Sequence, residues 1–99
     1  MLMSHTHPNL EQLLAEKNVL ESKINEYKLR KQIIFETRGI EAILEQGKQL
    51  VQKGFTAQQA NEVLQKICRE AYEELCQIDK ELQVMEEKLI ALDNSITSL

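Results

Sequence analysis

The clearest regularity in the chain is a line of apolar residues in its second half. From Leu64 to Leu99 these residues recur at alternating intervals of four and three. A heptad line kept over about five repeats predicts a long helix packed along a neighbouring helix. The predicted line is Leu64, Cys68, Ala71, Leu75, Ile78, Leu82, Met85, Leu89, Leu92, Ile96 and Leu99.

The first half has helical spacing with one slip in its register. Pro8 suits a first helical turn, and Asn9 with Gln12 has the spacing of a capping box. We therefore predict a flexible tail over residues 1–8 and a helix over about 9–53. Gly39 and Gly47 weaken this helix and mark either a kink or the close approach of another helix. Its predicted inward residues are Leu13, Leu20, Ile24, Tyr27, Ile34 and, after the slip, Ile40, Leu44 and Val51.

The strongest turn signal follows Lys53. Gly54 can adopt the left-handed conformation that ends a helix, and Thr56 with Gln59 can form the capping box of the next helix. Phe55 stands where both motifs favour an apolar residue. We predict a turn over 54–56 and a second helix over about 57–97.

These elements predict an all-α fold, a long antiparallel two-helix hairpin of the coiled-coil type. Folding at Gly54 brings together residues whose numbers add to roughly 108, so Leu44 should face Leu64 and Val51 should face Ala57. A hairpin of 99 residues buries little surface by itself. We therefore expect two copies to pair into a four-helix bundle.

Composition and charge agree with this fold. The chain has one proline, three glycines and a net charge of −4, a composition typical of long helices. Residues 1–53 carry eight basic and seven acidic groups, whereas residues 54–99 carry four and nine. The charges of the two helices should therefore complement each other, with Lys31 beside Glu74 and Asp79.

The sequence predicts a cytoplasmic protein. It shows neither a signal peptide nor a stretch of about 18 apolar residues that could span a membrane. Cys68 and Cys76 are eight residues apart on one predicted helix, about 12 Å along its axis, which is too far for a disulfide between them. We expect both thiols to be reduced.

The chain offers little that could support catalysis. His5 and His7 alone do not supply the four ligands of a structural zinc site, and Gly47 with Lys48 lacks the other elements of a phosphate-binding loop. Arginines alone do not form an active site. We predict no enzymatic activity, no cofactor, no metal and no small-molecule substrate.

The most informative feature is apolar surface outside the predicted helix contact. A contiguous patch of this kind marks an association surface more often than scattered exposed residues do. We predict a non-catalytic interaction module, a homodimer or the partner of another helical protein, acting as an adaptor or small chaperone. A wider intramolecular core is the other interpretation. The predicted interface residues are Ile33, Phe35, Ile40, Ile43, Leu50, Val63, Ile67 and Tyr72.

The alternative function is regulation through RNA or DNA. A helix-one basic cluster of Lys28, Arg30, Lys31 and Arg38 could contact phosphates on the surface of a dimer. The net acidity of the chain opposes such binding. Nucleic acid is therefore the less favoured partner.

Overall fold

The computed structural model describes residues 8–99, which form three helices. These are α1 (Pro8–Arg38), α2 (Ile40–Gln52) and α3 (Ala57–Thr97). No strand occurs in the described range, so the all-α prediction is confirmed. Residues 1–7, with His5 and His7, lie outside the described residues.

The predicted first helix is divided at Gly39. Gly39 has φ −76° and ψ −179°, so the backbone leaves the helical conformation at this single residue. Its N–H still donates to the carbonyl of Phe35 at 3.0 Å, and its own carbonyl accepts from the N–H of Ile43 at 2.9 Å. A Cβ atom at residue 39 would collide with the Phe35 carbonyl oxygen. Gly39 is therefore the point at which the helix bends.

The turn between α2 and α3 has the predicted motifs. Gly54 has a φ of 101°. The N–H of Phe55 donates to the carbonyl of Leu50 at 3.1 Å, and the N–H of Gly54 donates to the carbonyl of Val51 at 3.0 Å. These two bonds are the Schellman closure of a helix. Next, the Gln59 N–H donates to Thr56 Oγ1 at 3.1 Å, and the Thr56 N–H donates to Gln59 Oε1 at 3.0 Å. This reciprocal pair is a capping box, which starts α3.

The described residues belong to two units. The first combines residues 8–28 with 80–99. Its buried apolar side chains include Ile24 of α1 and Leu82 of α3. Lys17 Nζ lies 2.7 Å from Asp93 Oδ1, so α1 and α3 are in contact in this unit.

The second unit comprises residues 29–79 and contains the Gly39 bend and the turn. Lys31 Nζ lies 2.7 Å from Asp79 Oδ1, and Arg38 pairs with Glu74. Further along, a Cβ on Gly47 would lie 3.1 Å from the Leu64 Cδ1 atom. Successive contacts thus move forward along α1 and α2 while they move back along α3, and Gly47 permits close approach to α3. The buried residues of this unit are Ile34, Ala60, Ala71 and Ile78.

The inward side of α2 differs from the prediction. Ile40, Leu44 and Val51 are 81%, 62% and 55% exposed, so none of them is the inward residue that the spacing predicted. The half-buried residues include Ile43 and Leu50, which stand on either side of Gly47 in the sequence. The bend at Gly39 rotates α2 so that this second apolar line faces α3.

A similar shift affects α3 near the turn. Cys68 is exposed, whereas its neighbour Ile67 is half-buried. Ile67 belongs to the inward line, in which Ala60 before it and Ala71 after it are buried. The predicted line is therefore wrong at Cys68. It is also wrong at its last residue, Leu99, which follows the end of α3 and is 57% exposed. From Ile67 the inward line runs through Ala71 to Leu75 in two successive steps of four residues, a spacing that locally unwinds a coiled coil.

Basic residues occupy inward positions of α1. Lys17, Lys31 and Arg38 stand at seven- or fourteen-residue intervals and are half-buried, and each pairs with an acid of α3. The pKa of Lys17 is raised, first by its hydrogen bond to Asp93 and then by the charge of that carboxylate. Cations at such positions select one register of helix pairing and seldom add stability.

Gly54 provides a test of the turn. Gly54→Val should lower the free energy of unfolding by about 1 kcal/mol or more, because a β-branched residue is poorly tolerated at positive φ. Gly54→Asn is the matched control and should lower the free energy of unfolding less, since asparagine enters the left-handed region more readily than valine. Urea unfolding at one protein concentration measures both. Equal midpoints for all three proteins would show that the chain turns elsewhere.

Lys31 provides a test of the inward cations. Lys31→Leu should leave the free energy of unfolding unchanged or raise it by up to about 1 kcal/mol, because the partly exposed ion pair contributes little and the leucine extends the apolar line. Asp79 is left solvated, with 58% of its side chain exposed. Urea unfolding measures the effect, and a clear loss of stability would show that the ion pair itself stabilises the fold.

Candidate interaction surface

The structure places all eight predicted interface residues in the second unit, with different exposures. Ile33, Phe35 and Val63 are exposed, while Ile40 and Tyr72 are 81% and 69% exposed. The other three are half-buried and point toward the contact of the chain's own helices. These three are Ile43, Leu50 and Ile67.

Two ion pairs mark the two sides of α3 in this unit. A helix turns about 100° per residue. Measured from the inward residue Ala71, Asp79 and Tyr72 lie about a quarter turn away in one direction, and Glu74 lies on the other side. Tyr72 is therefore on the side where Asp79 meets Lys31.

Other exposed apolar residues lie on this same side. Within the unit, α2 and the end of α1 run antiparallel to α3. In an antiparallel pair, residues that are turned away from the inward line in the same sense along each chain lie on the same side of the pair. Phe35 lies about a quarter turn from the inward line of α1, in the same sense as Tyr72 on α3. On α2, the residues at a similar angle from the inward line are Ile40, Leu44 and Val51. We call this surface the apolar face. Its members are Phe35, Ile40, Leu44, Val51 and Tyr72.

Two predicted residues lie elsewhere. Val63 is on the side of α3 where Glu74 meets Arg38, and Ile33 is on the part of α1 that points away from α3. The eight residues thus belong to different surfaces. Leu44 and Val51 could not be recognised as surface residues from the sequence, because their spacing assigned them to the helix contact.

Both cysteines flank Tyr72 on α3. Cys68 is exposed and Cys76 is half-buried, and each is four residues from Tyr72. A hydrogen bond to the Cys76 thiol is the main cause that raises the pKa of Tyr72. The repeated spacing of four residues is the sequence signal that could have found this group.

The first unit has an open groove that the sequence analysis did not find. Val19 is exposed within it, and the small residues Ala15, Ala91 and Ser95 leave room between the helices. The pairing of small residues at these positions was the available signal. The remaining lining residues are Gln12, Glu16, Leu20, Lys23, Lys88 and Leu92.

The predicted basic cluster is partly neutralised. Lys31 pairs with Asp79 and Arg38 pairs with Glu74, so a carboxylate stands beside each of these cations. Lys28 and Arg30 are exposed. Adjacent carboxylates repel phosphate, which weakens the case for nucleic-acid binding.

Within residues 8–99 no group of three or more His, Cys, Asp or Glu side chains could hold a metal ion. No helix in that range is long and apolar enough to cross a membrane. Comparison with models of known protein families, with curated proteins and with solved structures found no match.

The neutralised cluster gives a prediction about nucleic acid. The protein should not retard generic double-stranded DNA or RNA in a low-salt gel, because it is acidic and because Lys31 and Arg38 are paired with carboxylates. A shift that disappears with added salt, and on substitution of both Lys28 and Arg30 by Ser, would instead support the nucleic-acid alternative.

Proposed function

We propose that this protein is a non-catalytic, cytoplasmic interaction module: an antiparallel helical hairpin that self-associates through the apolar face into a four-helix bundle. In this form it would act as an adaptor or small chaperone. The proposal rests mainly on Ile40, which is 81% exposed at the start of a helix that is apolar on two adjacent lines.

The width of the apolar surface of α2 supports association. One line, with Ile43 and Leu50, points toward α3, and a second line with Ile40, Leu44 and Val51 stays exposed. A helix with one neighbour needs only a narrow apolar line, whereas bundle helices carry three to four apolar residues per two turns. Contact with another helix would cover this second line of α2.

The ion pairs support the hairpin part of the proposal. Lys17 pairs with Asp93 in the first unit, and Lys31 pairs with Asp79 in the second. A step of fourteen residues along α1 is matched by fourteen residues in the reverse direction along α3. Both pairs fit the single antiparallel register of the hairpin that we propose.

The energy available on the apolar face is of the size that dimerisation requires. Burying a fully exposed large apolar side chain contributes about 1.5–3 kcal/mol. When this contribution is multiplied by the exposed fraction of each of the five residues and summed over two copies, the total is on the order of 10–20 kcal/mol. The cost of association is about 4–15 kcal/mol, and a micromolar dissociation constant corresponds to about 8 kcal/mol net. A C2-symmetric dimer is the commonest arrangement for such an interface.

Sedimentation equilibrium tests the proposal. The wild type should be a dimer at micromolar concentration, and the Ile40→Glu, Leu44→Glu double variant should be a folded monomer, because two charges would be buried in the interface. Leu29→Glu is the matched control. Leu29 is 55% exposed on the part of α1 that points away from α3, so this variant should remain a dimer.

Circular dichroism confirms that each variant is still helical. A wild type that sediments as a folded monomer would contradict self-association. A control variant that dissociates as readily as the double variant would show that the interface lies elsewhere.

A further inference from the structure

The positions of the two cysteines bear on how a second copy is oriented. Cys68, Tyr72 and Cys76 lie at equal intervals along the same side of α3, and Cys68 and Cys76 are the only cysteines in the chain. This arrangement is unchanged when the direction of the helix is reversed about Tyr72. It is thus self-complementary under a two-fold axis perpendicular to the helix.

We propose that the second copy docks on the apolar face with its α3 antiparallel to α3, about a two-fold axis at Tyr72. The inference rests on the proposed self-association and adds its geometry. Cys68 and Cys76 are each about 6 Å along the axis from Tyr72. In the dimer, Cys68 therefore lies level with Cys76 of the partner subunit, and Tyr72 lies against its own copy.

The other helix satisfies the same axis. The Arg38–Glu74 pair and the Gly47–Leu64 approach place Ile40 at about the level of Tyr72 within the second unit. Reversal about this level puts Ile40 against its own copy. Phe35 and Leu44 are five and four residues from Ile40 on opposite sides, so each meets the other across the axis. Apolar residues thus meet apolar residues around the levels of Ile40 and Tyr72.

Other orientations lack this match. A parallel α3 pair would put Cys68 against Cys68 and bring two Lys31–Asp79 ion pairs together, with like charges at the same level. A two-fold axis along the helices would put α3 against α2, where no cysteine lies opposite another. The antiparallel pair brings the two different cysteines together and places Asp79 at the level of Gln65, which is uncharged.

Disulfide trapping of the full chain tests the orientation. Diamide accepts two electrons and two protons from a pair of thiols, so it links cysteines whose Cα atoms approach within about 7 Å. The wild type should give a covalent dimer on a non-reducing gel. Cys68→Ser alone and Cys76→Ser alone should give almost none, because two copies of the same cysteine lie about 12 Å apart along the axis. An equilibrated equimolar mixture of the two variants should restore the link.

Sedimentation of the same samples separates the two claims. A wild type that is dimeric but gives no covalent dimer would overturn the orientation and leave self-association standing. Efficient linking by either single variant alone would overturn it in favour of a parallel pair. A wild type that sediments as a monomer would overturn both the orientation and the proposed function.

Discussion

The carbonyl oxygen of Phe35 leaves no room for a Cβ atom at residue 39, and the rest of the second unit depends on this constraint. The backbone changes direction at Gly39 while its hydrogen bonds to both flanking helices persist. The bend sets the rotation of α2, and that rotation decides which apolar line faces α3. Ile43 and Leu50 turn inward, and Ile40 and Leu44 remain in contact with solvent.

Direction and register have separate causes. The Schellman closure at Gly54 and the capping box of Thr56 and Gln59 are local, and together they end one helix and start the next. The register is selected by half-buried cations of α1, of which Lys31 is one, paired with acids of α3. Such pairs contribute little stability, since they remain partly solvated, but an altered register would leave a half-buried charge without its partner.

The sequence predicted the features that depend on neighbouring residues. The turn follows from Gly54, Thr56 and Gln59 within six residues, and the line of α3 from Leu75 to Ile96 follows from its heptads. The side of α2 that faces inward could not be predicted, because Leu44 with Val51 and Ile43 with Leu50 have the same seven-residue spacing. The choice between them depends on the backbone at Gly39 and on the approach of Leu64 to Gly47, which are tertiary effects. The composition of the apolar face was therefore only partly predicted.

The most direct test of the account is the solvent accessibility of the Ile40 methyl groups in the wild-type protein. In a single chain Ile40 is 81% exposed and Ile33, on the part of α1 that points away from α3, is 47% exposed. A soluble paramagnetic probe added to a single chain would therefore relax the methyl signals of Ile40 at least as strongly as those of Ile33. If the apolar face is an association surface, methyl NMR at high protein concentration should show the reverse order, with Ile40 shielded and Ile33 strongly relaxed. Strong relaxation of Ile40 at every concentration would contradict the account.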